Sequence, residues 1–544
     1  MKKLWRWKKS SFSIIYLQRK FFNLWLVIIK VIENVLSSLI KTMLNININD
    51  LSITTLKGRK LLDSFSFNLN EGDKIALIGE EGNGKSTLLK IIAGIDVSNY
   101  VSYSGTIKAN GKIGYLPQKI EDEYLDKTTI EYIGEDIDYN FLYSLIVDLN
   151  IDANLLEDRI VRSLSGGEKV KIALLKILYE QANILLLDEP TNDLDLKTLI
   201  WLEEFIKSHK QPIIFISHDE TLLENCANGI LHLEQFKRKS ESKITFSGNT
   251  YKEYISYRDD FINHNNMVAR KQRKELDKQL EKFRQIYQKV DHAQATISRQ
   301  DPHGAQLLKK KIKTLKAQED KFEIKKENLT KIYEPEEAID IFFEDIKLNP
   351  NKVILDLHLS ELKIDDRVLS KNINLHVLGK DKICIIGSNG AGKSTLIKKI
   401  YNELINREDI KLGYMPQNYY ELMNYDISPI DYLMINREYK ELSKVQSYLG
   451  ALRFTSEEMS HKIIELSEGQ KCKILLIKMI LDGSNVLLLD EPSRNLSPLS
   501  NPVVRNILNE FKGSIISVSH DRKFIEEVIE DVYELNEDGL KHIY

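Results

Sequence analysis

Short, unbroken apolar runs recur along the chain and end at chemically distinctive residues. Ile75-Ala-Leu-Ile78 runs into Gly79, and Ile383-Cys-Ile-Ile386 runs into Gly387. Ile184-Leu-Leu-Leu precedes Asp188, and Val486-Leu-Leu-Leu precedes Asp490. Ile213–Ser217 precedes His218, and Ile515–Ser519 precedes His520. Runs of this length suit strands covered on both faces, as in a buried parallel sheet. Thr87–Ile92 and Thr395–Ile400 follow glycine-rich loops and predict helices, so the fold class is α/β. The middle of the chain has another period. Leu276, Leu280, Phe283, Tyr287 and Val290 recur at a 4-3-4-3 spacing. Leu308, Ile312, Leu315 and Phe322 continue the seam on the return, with Glu319 in one seam position. This predicts a two-helix antiparallel coiled coil, broken at Asp301-Pro302-His303-Gly304. An arm of about 40 helical residues would reach roughly 60 Å.

Length and charge refine this picture. The 544 residues exceed one ordinary core. They divide into an extension at 1–42, a first half at 43–250, a hairpin linker at 251–333 and a second half at 334–544. Three cysteines, with no CxxC pair, argue against a disulfide framework or zinc site and fit a reducing cytoplasm. The net charge of −3 hides two basic segments, 1–42 and 264–330, each at +8. Basic segments on an acidic body point to an anionic partner at a defined place. No apolar stretch reaches the ~18 residues of a membrane span; the nearest, Phe21–Ile40, contains Lys30 and Glu33. Residues 1–42 suit a membrane-surface or RNA-binding arm. The alternative is that translation begins at Met43, where MLNININDLSI opens a strand-like segment.

A single series of motifs appears twice in the same order. The first is Gly79-Glu-Glu-Gly82-Asn-Gly84-Lys85-Ser86-Thr87, Gln118, Leu164-Ser165-Gly166-Gly167-Glu168, Asp188-Glu189 and His218. The second is Gly387-Ser-Asn-Gly390-Ala-Gly392-Lys393-Ser394-Thr395, Gln417, Leu466-Ser467-Glu-Gly469-Gln470, Asp490-Glu491 and His520. Ser165 and Glu189 are 24 residues apart, as are Ser467 and Glu491; Glu189 and His218 are 29 apart, as are Glu491 and His520. Matching spacings over so many elements mark an internal repeat.

Each element has a chemical reason. A glycine-rich turn between strand and helix lets backbone N–H groups surround phosphate oxygens at a helix N-terminus. Lys85 and Lys393 then reach β- and γ-phosphates, and Ser86 and Ser394 ligate Mg2+. Asp188 and Asp490 hold Mg2+ directly or through water. Glu189 and Glu491 polarise the attacking water. His218 and His520 reach the γ-phosphate, and Gln118 and Gln417 reach Mg2+ or water. The plainer alternatives are strand-capping acids, core histidines and loop glutamines without a role.

The series resembles the nucleotide-binding domains of the ABC ATPase superfamily, over about residues 44–246 and 352–544. LSGGE and LSEGQ are its diagnostic elements. The resemblance implies two domains sandwiching two ATP molecules head to tail. One site joins Lys85, Ser86, Gln118, Glu189 and His218 to Ser467 and Gly469. The other joins Lys393, Ser394, Gln417, Glu491 and His520 to Ser165 and Gly167; Gly166 between them is also counted as ATP-binding. ATP closes the sandwich and hydrolysis opens it. Neither Thr54–Gly58 nor Leu362–Arg367 offers an aromatic to stack on adenine.

Two such domains joined by a basic helical hairpin resemble the ABC-F family. Phe246-Ser-Gly-Asn-Thr-Tyr251-Lys-Glu-Tyr254 resembles its lead into the linker, and Glu189-Pro-Thr-Asn-Asp-Leu-Asp195 its usual loop. The second loop departs: Glu491-Pro-Ser-Arg-Asn-Leu-Ser-Pro-Leu-Ser500 has no aspartate matching Asp195, so the second site is expected to hydrolyse ATP differently. This variant is similar to the antibiotic-resistance branch of Vga and Lsa type proteins. The 47 residues from Gln118 to Ser165 leave no room for the extra arm of some housekeeping members. The resemblance implies a cytoplasmic ATPase, using ATP and Mg2+, that binds the 70S ribosome (23S rRNA and tRNA) as a single chain with its two ATPase domains paired intramolecularly and no stable membrane partner. Its hairpin tip, with His292, Gln294, Arg299 and His303, enters the tRNA exit site toward the peptidyl-transferase centre. Ribosome protection against antibiotics is the leading expectation. A housekeeping factor for stalled ribosomes, or the ATPase subunit of a transporter, are the alternatives.

Overall fold

The structure is a computed structural model. It describes residues 45–80, 82–156, 159–236, 241–296, 302–330, 343, 348–434 and 439–544. The basic extension therefore lies outside the described residues, as does Arg299. The chain forms two compact units: one contains both halves of the repeat, the other is Asn249–Asp340 with Ala451–Arg453.

The first half opens with antiparallel strands β1 (Asn45–Thr55) and β2 (Lys60–Asn70), followed by β3 (Lys74–Gly79) and helix α1 (Lys85–Ile92). β4 (Val101–Asn110) joins β1 on the side away from β2. Next come β5 (Ile113–Leu116), short helices at Thr129–Ile133 and Tyr139–Asp148, and α2 (Gly166–Tyr179). Then follow β6 (Ile184–Asp188), α3 (Leu196–Ser208), β7 (Ile213–Ile216), α4 (Glu220–Cys226), β8 (Gly229–Phe236) and β9 (Glu241–Ser247). The main sheet runs β5-β6-β7-β3-β8-β9, parallel except for β9. Every residue of β3, β6 and β7 is buried, as their unbroken apolar runs require. Ile75, Leu77, Leu186, Ile214 and Leu231 pack with Leu88 and Leu89 of α1 and with Ile46, Ile48 and Leu69 of the antiparallel layer.

The linker unit contains α5 (Tyr251–Thr296) and α6 (Pro302–Glu327). Along their seam Leu276, Val290 and Leu315 are buried. Phe283 meets Phe322 edge-on with ring centroids 5.5 Å apart. Lys325 Nζ donates to Gln279 Oε1 at 2.9 Å, which with the aromatic pair fixes an antiparallel register. The helices differ in length, 46 against 26 residues, so the second arm falls short of the expected length of about 40. Pro302 opens α6 rather than interrupting a helix; a first-turn proline forfeits no intrahelical donor.

The second half repeats the first. β10 (Val353–Ile364) and β11 (Arg367–Leu378) form a hairpin, followed by β12 (Lys382–Ile386), α7 (Lys393–Leu404) and β13 (Leu412–Met415). After short helices come α8 (Glu468–Leu481), β14 (Val486–Asp490), α9 (Asn501–Asn509), β15 (Ser514–Val518), α10 (Arg522–Val528), β16 (Asp531–Asn536) and β17 (Gly539–His542). The sheet order β13-β14-β15-β12-β16-β17 matches the first half strand for strand. No helix among the described residues is long and apolar enough to cross a membrane.

Candidate active site

In each half the phosphate-type loop joins the C-terminal end of the central strand to a helix. Gly84 and Gly392 cap α1 and α7 at φ of 92° and 98°, a left-handed conformation that glycine adopts without steric cost. A Cβ on Gly79 or Gly387 would come within 2.5 Å of a carbonyl of the neighbouring strand. Lys85 Nζ curls over its loop, donating to Gly79 O at 2.8 Å and Glu80 O at 3.0 Å. Lys393 does the same with Gly387 O at 2.8 Å and Ser388 O at 3.0 Å. Ser86 Oγ donates to Asp188 Oδ1 at 2.9 Å, and Tyr115 OH to Asp188 Oδ2 at 2.9 Å. Ser394 bonds Asp490 in the second half, whose Oδ1 is buried without a hydrogen-bond partner. Burial raises both aspartates above the usual carboxylate range. A hydroxyl beside a carboxylate, with buried oxygen capacity to spare, is the hard donor set that Mg2+ takes. These residues therefore fit the ion, which would neutralise phosphate charge when bound.

Glu189 and Glu491 stand one residue past their strands at φ of 51° and 56°. Left-handed backbone at a non-glycine residue is strained and persists where the surroundings enforce it. Glu189 accepts from Gln118 Nε2 at 2.6 Å and Asn192 Nδ2 at 2.7 Å, and His218 Nε2 lies 2.9 Å from its Oε1. Burial pushes its carboxyl up, but His218, Asn192 and Lys85 outweigh that and hold it down at about 2. Glu491 lacks this cage. It accepts from His520 N at 3.3 Å, but the nearest histidine ring nitrogen, His520 Nε2, is 3.8 Å away, and burial beside Asp490 pushes its carboxyl up to about 8. Both ring nitrogens of His520 are buried without a hydrogen-bond partner, and burial lowers it to about 4.

The diagnostic motifs are helix starts. Ser165 caps α2 through a reciprocal box with Glu168, and Ser467 caps α8 with Gln470. Each leaves N-terminal N–H groups for an anion.

One cavity of about 400 Å³ gathers the second composite site. Lys393, Ser394, Thr395, Gln417, Asp490, Glu491 and His520 line it, together with Gly166 of the other half. The first site's opposite wall is reached differently. His218 Nδ1 lies 2.6 Å from Leu496 O of the second half, while Ser467 bonds within its own helix start.

The sequence reading missed residues that cross between halves. Asp193 and Leu194 line the second cavity, and Asn389 Nδ2 donates to Asp193 O at 2.5 Å. Arg494 pairs with Asp193 from the cavity wall. Ile364, inside the stretch that lacked an aromatic, supplies an apolar wall. Asp195 caps α3 through Thr198 N at 2.9 Å and is felt electrostatically by His520 of the second site. The counterpart loop places Leu496 O 2.6 Å from His218 Nδ1, across the interface. Of the hairpin-tip residues, His292 is exposed on α5; the side chains of Gln294 and His303 lie outside the described residues.

A family model described as ABC transporter matches residues 62–192 and 370–494. The ATP-binding protein Uup of Buchnera aphidicola subsp. Schizaphis graminum is 30% identical over 495 residues, covering 87% of this chain and 78% of that protein. The chain belongs to the ABC-F family. Other ABC-F relatives include ABC transporter F family member 5 of Arabidopsis thaliana, 27% identical over 90% of this chain and 74% of that one. The probable ATP-binding protein YheS of Escherichia coli (strain K12) is 29% identical over 87% and 76%. Among solved structures, an RNase-L Inhibitor superposes at a TM-score of 0.54 with 16% identity, over 87% of this chain and 86% of that one. An archaeal ribosome recycling factor, aABCE1, complexed with a ribosomal stalk protein, gives 0.55 at the same identity and coverage. These two show the shared fold. As an ABC-F protein, the chain binds ATP and hydrolyses it.

Proposed function

We propose that this ABC-F ATPase binds the 70S ribosome and protects it from antibiotics acting at the peptidyl-transferase centre. The observation that carries the reading is the basic helical hairpin between two complete ATPase halves, at +8 over residues 264–330. A transporter subunit has no use for such an arm, whereas RNA phosphates attract it and its tip. The second-half loop, Arg494 to Pro498, supports the resistance branch over a housekeeping role. In this reading the tip, around His292, Gln294, Arg299 and His303, enters through the tRNA exit site and contacts 23S rRNA or tRNA in the cytoplasm.

The sites supply the timing. Lys85 and Lys393, with the loop N–H groups, bind the ATP phosphates. Ser86, Gln118 and Asp188, and Ser394, Gln417 and Asp490, hold Mg2+. Glu189 and Glu491 orient the attacking water, with His218 and His520 beside it. Serine and glycine N–H groups of the opposite half complete each phosphate cradle. ATP binding joins the halves, and hydrolysis releases the protein from its target.

The test is a Glu189→Gln, Glu491→Gln double variant. It is expected to pellet with 70S ribosomes in ATP and not in ADP. Absence of pelleting by a folded, ATP-binding variant overturns the ribosome reading. A deletion strain with unchanged sensitivity to peptidyl-transferase drugs leaves a housekeeping role instead.

A further inference from the structure

From the Ser165 motif onward, a step of 302 residues carries the first half onto the second: Ser165 to Ser467, Glu189 to Glu491, His218 to His520. The same step carries Glu203 to Arg505 and Glu220 to Arg522. Equivalent positions in the repeat therefore hold opposite charges. Glu203 and Arg505 lie in α3 and α9, and Glu220 and Arg522 open α4 and α10.

These four side chains meet across the halves. Arg505 Nη1 is 2.5 Å from Glu220 Oε1 and its Nη2 3.2 Å from Oε2, with the two side chains only 5% and 8% exposed. Arg522 Nη2 is 2.5 Å from Glu203 Oε1 and 3.1 Å from both carboxylate oxygens of Asp219. Lys523 Nζ adds a contact to Glu224 Oε2 at 3.1 Å. Within the second half, Glu527 accepts from Arg505 Nε at 2.7 Å. In both contacts a residue of the helix after the Glu189-type loop faces the first residue of the helix after the His218-type loop, on the other half. The two contacts thus obey the same approximate two-fold symmetry as the halves.

We propose that Glu203, Glu220, Arg505 and Arg522 form a charge code by which a first half pairs with a second half and rejects its own kind. Two first halves meeting the same way would set Glu203 against Glu220 twice. Two second halves would set Arg505 against Arg522 twice. Buried like charges oppose association, whereas each unlike pair is a hydrogen-bonded ion pair or a close charge contact. The linker raises the local concentration of the correct half; the code supplies the repulsive element that discriminates against equivalent halves of other copies. The two halves share one strand order, so shape alone discriminates poorly between them. The inference is independent of the ribosome reading and needs only the ATPase activity of paired halves.

Two full-length variants test it. Glu203→Arg with Glu220→Arg places arginines on both halves; Arg505→Glu with Arg522→Glu places glutamates on both. Each variant alone is expected to lose ATP turnover by about tenfold or more. Mixed one to one, they are complementary between chains, so turnover recovers and light scattering finds a complex of twice the mass. Placing all four exchanges in one chain restores turnover to within about threefold without a change in mass, and shows that the reversed seam folds. Unchanged turnover in either double variant, no recovery in the fourfold variant, or a mixture that stays inactive at the mass of one chain each overturns the proposal.

Discussion

At the scale of single residues, the paired glutamates differ more than their identical motifs suggest. Glu189 sits in a cage of Gln118, Asn192 and His218, while Glu491 is buried beside Asp490 without one. Arg494 occupies the position equivalent to Asn192, so the cage amide is replaced by a cation paired with Asp193 of the other half. Replacing Glu189 by Gln in a Glu491→Gln background should remove the remaining turnover by about a hundredfold or more, while nucleotide affinity changes about threefold at most. Steady-state ATPase assays and nucleotide titration read the two effects. Buried thiols give a second residue-scale prediction. Burial pushes Cys226 and Cys384 up to about 12. An acid raised on folding holds its proton longer in the native state, so stability falls as pH rises from 9, the unperturbed value, toward 12. At pH 8 only about one thiol in ten thousand would be ionised at these sites. A disulfide reagent at that pH should leave both unmodified until denaturant is added.

At the scale of elements, helix starts carry the diagnostic chemistry. The S-x-x-E and S-x-x-Q boxes that begin α2 and α8 are legible in the sequence because capping is local. Ser165→Ala should cost about 1 kcal/mol of helix stability. It should also weaken turnover at the Lys393 site, which Gly166 lines, more than at the Lys85 site. Single-site measurements in Glu189→Gln and Glu491→Gln backgrounds separate these. The linker seam was legible for the same local reason, through its heptad spacing. Its unequal arms were not, since the pattern records only where two helices overlap. Phe283→Ala removes the edge-on contact with Phe322 and should loosen the hairpin by about 1 kcal/mol. Faster proteolysis within residues 251–330 would report it.

At the scale of the whole molecule, charge is distributed by purpose. The hairpin carries excess cation on exposed positions such as Lys309, Lys310, Lys311 and Lys313. If RNA phosphates are its partner, changing these four to Gln should lower the slope of log affinity against log salt by about 3. Ribosome pelleting across a potassium chloride series measures that slope. The seam between the halves uses charge differently, as one buried and one partly buried contact whose sign differs between equivalent positions of the repeat. A duplicated domain would otherwise be self-complementary, since both copies keep the same motif-bearing surface.

The sequence by itself determined the repeat, the α/β class, the phosphate loops, the acid and histidine positions and the basic hairpin. Each of these is written in a short window of residues or in a fixed spacing. Only the tertiary structure decided what crosses between windows. It placed Leu496 on His218, and Asp193 and Gly166 in the cavity of Lys393. It also set Glu220 on Arg505 and Glu203 on Arg522. These partners are about 200 or more residues apart in the chain, and nothing in a local pattern encodes which surfaces meet. That choice follows from packing two nearly equivalent bodies face to face.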